Sequence, residues 1–500
     1  KDILIAEEEE IKYQTKKNRV YSISAPANKG IELPSASQME TLIENVQTLK
    51  LDPKAEEDFT NEPLIEKLPV AGKIISEKPL GKFGAEEWIL SNGVKVIYKK
   101  AVYEKENVLL NAVSPGGMSL YDTKDLPSVT AAAKFVGGYG LGNFDPITLK
   151  KVLTGKTVET NYAITDFNES VFGKSTSKDL ETMMQLIYMR FQKPRFDREK
   201  FNESIKRYEE EFKPAKRRFP SSKDSLNFII NKDNPRFLKF DEHYVASINF
   251  DSIQKIYKDR FNNAADFTFY ISGDIDAGAL KPLVEQYIGS LPGNQSRENW
   301  FARKSYFPKG VNKYRLYLPM SEPKAMQIIK MQADGKYSRE NVVYHTILGE
   351  ILKIRLIDVI REKEGGTYTV GVTSNSVRIP EMKFNLEISF NCDPEKADYL
   401  SMLTHKELET LKKEIKQEEL DIVVSNLKKN TQNVKETNNY WIFALQNYIT
   451  YNEDVTSSKY ISEILNNVTV KDIKKAAKNF LNTADIADAI IYPKKYNSKK

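Results

Sequence analysis

A guanidinium and a phenol stand seven residues apart at Arg361 and Tyr368, within the stretch Ile347 to Thr373, ILGEILKIRLIDVIREKEGGTYTVGVT. Arginine stays charged and tyrosine stays protonated near pH 7, so both can donate hydrogen bonds to a peptide carbonyl, a carboxylate or a developing oxyanion. Such a pair is useful only if one edge of the fold presents both side chains. Apolar residues at Leu348, Leu352, Leu356, Val359 and Ile360 keep to one side of a helix, and Gly365-Gly366 supplies its left-handed stop. The spacing predicts that Arg361 lies in the last helical turn and that Tyr368 opens the following strand. The plainer alternative is that Arg361 opposes its helix dipole or pairs with Glu362 or Glu364, with Tyr368 an ordinary strand aromatic.

Other chemistry is sparse. His243, His345 and His405 are far apart, and neither His-x-x-Glu-His nor His-Glu-x-x-His occurs. With the single cysteine, Cys392, a transition-metal site built from this chain alone is not expected, and an internal disulfide is excluded. Gly155-Lys156-Thr157 resembles the end of a phosphate loop, but Lys150 stands where its first glycine should be. The run GGYGLGNFDP (137–146) has the wrong intervals for a dinucleotide fingerprint. Glu203, Glu209, Glu210 and Glu211 fit a charged helical face.

Length and composition narrow the class. Five hundred residues exceed one hydrophobic core, and 40% apolar with 29% charged residues is a globular balance without a membrane-length apolar run. Lysine plus arginine exceed aspartate plus glutamate by only 75 to 69, which is no nucleic-acid signature. The densest basic run, Lys213 to Lys223, reads as a solvated helix end and loop. The chain opens on Lys1 without a signal-peptide pattern, as expected of a processed or truncated piece, and its compartment, whether bacterial periplasm or cytoplasm, is not encoded.

Three segments emerge. Residues 1–85 read as a bridge: Ser37 and Glu40 form a capping box before an amphipathic helix through Met39, Leu42, Ile43, Val46 and Leu49, and four prolines then keep the chain extended. Residues 86–299 begin with WILSNGVKVIYKK and its Asn92-Gly93 hairpin, pass the Gly116-Gly117 turn, and alternate strands with helices. Residues 300–495 repeat the ending of the segment before them. NFDSIQKIYKDRFNNAADFTFYI and TVKDIKKAAKNFLNTADIADAII share the order capped helix, aromatic, Asn, Ala-Asp and apolar strand. Two homologous α+β domains, each a sheet with helices packed on it, account for this pattern.

LPVAGKIISE, WILSNGVKVIYKK, SPGGMSL, LVEQYIGSLPG and IREKEGGTYTVGV, in that order, resemble the C-terminal half of pitrilysin and insulinase-type zinc metalloproteases of the inverted-motif group, bacterial zinc proteases included. The resemblance covers nearly the whole chain. It implies two domains of the LuxS/pitrilysin-type metalloprotease fold and a clamshell that closes on peptide substrates. It also implies zinc in an N-terminal catalytic half, or in a catalytic partner subunit; the charge balance and hydropathy above point to neither nucleic acid nor membrane insertion. In LPSVTAAAK the motif positions hold Ser128, Ala131 and Ala132, so this half is expected to bind no metal and to be catalytically silent. What the resemblance carries over is Arg361 and Tyr368, matching an arginine and tyrosine that hold the substrate backbone and its oxyanion. A silent structural subunit of the same fold is the alternative.

Overall fold

The computed structural model describes residues 20, 22–23, 32–48, 62–211, 222–294, 296–303, 306–320, 322–458 and 460–499. Most of the basic run from Lys213 lies outside the described residues, as does residue 49 at the end of the expected amphipathic stripe. The chain forms two units, 1–58 and 59–500.

In the first unit a helix spans Ala36–Thr48. Its cap is not the Ser37 and Glu40 pair expected above. The Ser35 N–H donates to Gln38 Oε1 at 2.8 Å and the Gln38 N–H donates to Ser35 Oγ at 3.3 Å. Both pairs have the spacing of a capping box; the earlier one starts the helix sooner and gains it further backbone hydrogen bonds.

The second unit contains two sheets. One runs β1 (Ile74–Leu80), β2 (Ala85–Leu90), β3 (Lys95–Lys100), β4 (Asn107–Pro115), β5 (Val158–Ile164), β6 (Asn168–Thr176) and β7 (Thr268–Gly273) in the order β1-β2-β3-β7-β4-β6-β5. The other runs β8 (Val311–Leu318), β9 (Ala325–Asp334), β10 (Val370–Val377), β11 (Lys383–Cys392) and β12 (Asp485–Pro493) in the order β10-β11-β9-β12-β8. Part of the proline-punctuated stretch, extended as expected, is thus hydrogen-bonded as the edge strand β1. At Asn92-Gly93 the β2–β3 hairpin closes with Gly93 at φ +87°, a conformation glycine adopts without strain.

The internal repeat is visible in the topology. β7 lies parallel to β3 and antiparallel to β4, and β12 lies parallel to β8 and antiparallel to β9. The order β3-β7-β4-β6-β5 therefore recurs as β8-β12-β9-β11-β10. The Phe250–Phe261 helix preceding β7 is capped by Asn249, and the Val470–Thr483 helix preceding β12 by Thr469.

Strands in the middle of each sheet are buried on both faces. Val96 and Tyr98 face the core that also contains Val129, Ile187 and Ile253, while Ile97 faces the opposite way. That opposite face is covered by a helix from the other repeat: Ile442 and Leu445 of the Asn438–Tyr451 helix pack with Leu80, Ile97, Leu109 and Tyr270. The exchange is reciprocal. Leu226 and Ile230 of the Ser222–Ile230 helix pack with Ile328, Ala487, Ala489 and Ile491 of the second sheet. Each repeat thereby completes the other, and removing apolar area from water on four sheet faces is the main stabilising term.

Candidate functional site

The helix that carries Arg361 runs Arg339–Leu356 from a Ser338 cap and then widens into a π-turn over Ile357–Lys363. Widened turns of this kind concentrate at functional sites. Here the extra residue keeps Ile360 in the core, fully buried as are Leu352 and Leu356, while Arg361 emerges half exposed. Gly365 has φ +53°, its N–H donating to the Arg361 carbonyl at 3.1 Å, and the Gly366 N–H donates to the Ile360 carbonyl at 2.9 Å. The expected left-handed stop is therefore at Gly365 alone.

Tyr368 does not open the strand. β10 begins at Val370, and Tyr368 sits in the preceding turn, where Thr367 and Thr369 bond to each other and turn its ring outward. It is 91% exposed. A strand position would have alternated the ring into or away from the sheet; the turn leaves it free of the sheet altogether. The turn itself is anchored. The Tyr399 hydroxyl donates to Glu364 Oε1 at 3.1 Å, and Gly366 packs on Leu400 of the same Ala397–Lys413 helix. Arg361 Nε is 3.4 Å from Glu362 Oε1, an exposed contact of little strength. An anchored turn thus presents a cation and a phenol to solvent at the edge of the second sheet.

At the positions where the resemblance places a zinc motif, Ser128, Ala131 and Ala132 lie on the Leu126–Gly137 helix and are buried. The Ser128 Oγ accepts from the Asn249 N–H at 2.9 Å. One committed hydroxyl and two methyl groups do not fit a metal ion.

The histidines occupy structural settings. His345 is buried between Phe384 and Phe480 with Nε2 3.0 Å from the Asn385 carbonyl, and burial lowers its pKa. His405 Nε2 is 2.8 Å from Asp488 Oδ2. His243 lies in the short Glu242–Ala246 helix. Cys392 is buried in the core, which pushes its thiol up to about 12. In the Gly155 turn the Thr157 N–H donates to Asp179, an arrangement for a carboxylate already present and not for a phosphate. Glu203 pairs with Lys200 at 2.9 Å on an exposed helical face.

One buried charged cluster gave no sequence signal. Arg260 grips Glu298 at 2.6 and 3.2 Å, donates to the Tyr121 hydroxyl at 3.0 Å and lies 3.6 Å from Glu169. Glu169 in turn accepts from the Gly117 N–H at 2.8 Å, and burial raises its pKa to about 7 although Arg260 opposes the shift. These partners come from separate elements, so no local spacing announces them.

Residues 247–427 match the family described as Peptidase M16 inactive domain. The chain is 25% identical over 391 residues to a probable zinc protease PqqL of Haemophilus influenzae, covering 75% of this chain and 40% of that relative. It is 23% identical over 444 residues to a zinc protease PQQL-like protein of Arabidopsis thaliana, covering 83% and 43%. The crystal structure of the periplasmic protease PqqL from Escherichia coli superposes with a TM-score of 0.74 at 20% identity, over 92% of this chain and 51% of that one. The fold and these relationships define an α+β protein of the pitrilysin-like class. Residues 247–427 form a Peptidase M16 inactive domain, and the chain is homologous to the PqqL zinc proteases, spanning about 40% of the length of the curated relatives it matches.

Proposed function

We propose that this chain is the substrate-binding, non-catalytic half of a zinc metalloendopeptidase and works with a catalytic half that holds the zinc. The observation that carries this reading is the contrast between two places in the fold. The helix that would bear a metal motif is filled by Ser128, Ala131 and Ala132, whereas Arg361 and Tyr368 stand exposed on an anchored turn. In this reading residues 1–85 bridge the halves, and 86–299 and 300–495 are the paired domains.

Arg361 holds the carbonyl or carboxylate of a bound peptide, a ground-state contact. Tyr368 donates its hydroxyl hydrogen to the oxygen on which charge develops, where a preorganised donor is worth most. No step of hydrolysis is assigned to a metal in this chain. The test is reconstitution: the chain alone cleaves no peptide, and peptidase activity appears when it is mixed with its catalytic half. Activity that the catalytic half shows undiminished by itself would instead favour a structural subunit.

A further inference from the structure

Between the two repeats lies a second site, separate from the Arg361 turn. A cavity of about 510 Å³ is walled on one side by the Met118–Ser119 turn, Arg236, Phe237 and Arg303, and on the other by Val377 at the end of β10 and by Ile379 and Pro380 from the β10–β11 connection. That size is in the range that encloses a small ligand.

Its charge is unusual. Arg236 donates to the carbonyls of Tyr121 at 2.8 Å and Met118 at 2.7 Å, and Arg303 donates to that of Ser119. Both guanidiniums are thus pinned to one turn by neutral acceptors. Neither has a carboxylate within ion-pair distance among the described residues; Asp166 and Asp122 act on Arg236 only from further away. Burial first, and then the neighbouring Arg303 charge, pull Arg236 below its ordinary pKa. The Arg303 Nε is buried and lacks an acceptor among the described residues. A buried donor left unmade is costly, and a charged one more so. Of the two carboxylates lining the cavity, Glu381 is already engaged by Lys383 at 3.0 Å.

We infer that this cavity binds a peptide carboxylate flanked by an apolar side chain, with Arg236 and Arg303 taking the charge and Phe237, Ile379 and Pro380 the side chain. A carboxylate is planar and accepts two parallel hydrogen bonds, which suits a pair of guanidiniums better than a spherical anion does. The apolar wall adds burial that a free inorganic ion could not use. A chain terminus and an internal acidic residue both supply this chemistry.

The experiment uses the 500-residue chain and three fluorescein-labelled octapeptides: one ending in leucine with a free carboxylate, its C-terminal amide, and the amide with one internal glutamate beside the leucine. Fluorescence anisotropy should show the free acid or the glutamate peptide binding at least about tenfold tighter than the plain amide, because a charge-assisted contact is lost in the amide. The stronger of the two names the source of the carboxylate. Arg303→Gln should remove that advantage and leave amide binding unchanged. Val377→Glu, at a partly exposed position on the opposite wall, should weaken acid binding by repulsion without disturbing the pinned turn. Thermal melts report that both variants fold, and Tyr368→Phe should leave this binding unaltered, so its failure is distinct from failure of the function proposed above. Equal affinity for all three peptides, no binding to any, or acid binding indifferent to Val377→Glu overturns the inference.

Discussion

Gly366 approaches Leu400 so closely that a Cβ at this position would lie 2.7 Å from Leu400 Cδ1 and 3.1 Å from the Ile360 carbonyl oxygen. Gly365 is different: among the described residues nothing lies within 4 Å of where its Cβ would be, and its φ of +53° is what resists a side chain. Gly366→Val should therefore destabilise by about 1–3 kcal/mol through overpacking. Gly365→Val should cost about 1–2 kcal/mol through backbone strain, with Gly365→Asn milder because asparagine tolerates the left-handed region. Denaturant midpoints of the three variants separate the two mechanisms; equal costs for Val and Asn at Gly365 would contradict this assignment.

Helix exchange between the repeats should make them unfold together. Leu445 and Leu226 are fully buried, each on a helix that covers the other repeat's sheet. Leu445→Ala and Leu226→Ala should each cost about 2–5 kcal/mol. Both should shift one common transition in urea, followed by near- and far-ultraviolet circular dichroism. Two transitions, only one of them moved by each mutation, would mean that the sheets are stable separately.

Glu169 sets a pH dependence in the neutral range. Burial raises its folded pKa to about 7, above the ordinary glutamate value near 4.3. Between these values the folded protein binds more protons than the unfolded chain, so stability falls as pH rises through about 7. Glu169→Gln imitates the protonated form and should flatten this slope. A variant whose melting temperature drops from pH 5 to pH 8 as steeply as the parent's would refute the role of Glu169.

Asp488 works in the acid range. Burial alone would raise its pKa, but hydrogen bonds from His405 and Gln327 prevail and hold the carboxyl below its ordinary value. The stability it contributes is present above the unfolded value near 3.9 and is lost as pH falls through the folded pKa. Asp488→Asn should cost stability at neutral pH and little at the acid end, as measured by denaturation at both.

Much of this architecture was legible because it is written in local patterns. The Asn92-Gly93 turn, the Gly365 stop and the repeated helix-to-strand ending each follow from adjacent residues. Two local readings failed by small shifts: Ser35 and Gln38 took the cap from Ser37 and Glu40, and Tyr368 fell two residues short of β10. The larger omissions are non-local. NNYWIFALQNYITY shows that the Asn438–Tyr451 helix needs cover on several sides, but not that its partners are Ile97 and Leu109 of the other repeat. Arg260 with Glu169, and Arg236 with Arg303, meet only after the sheets are assembled, so neither pair has a spacing to find.

In the proposed function Tyr368 serves the oxyanion and not its own turn. Peptide cleavage by the assembled enzyme, this chain together with its catalytic half, should fall by roughly a hundredfold or more in kcat for Tyr368→Phe, the size of effect seen when an oxyanion donor is removed. The melting temperature should stay unchanged, because a ring that is 91% exposed contributes little to packing. A Tyr368→Phe enzyme that folds normally and cleaves peptides at the parental rate would contradict the account.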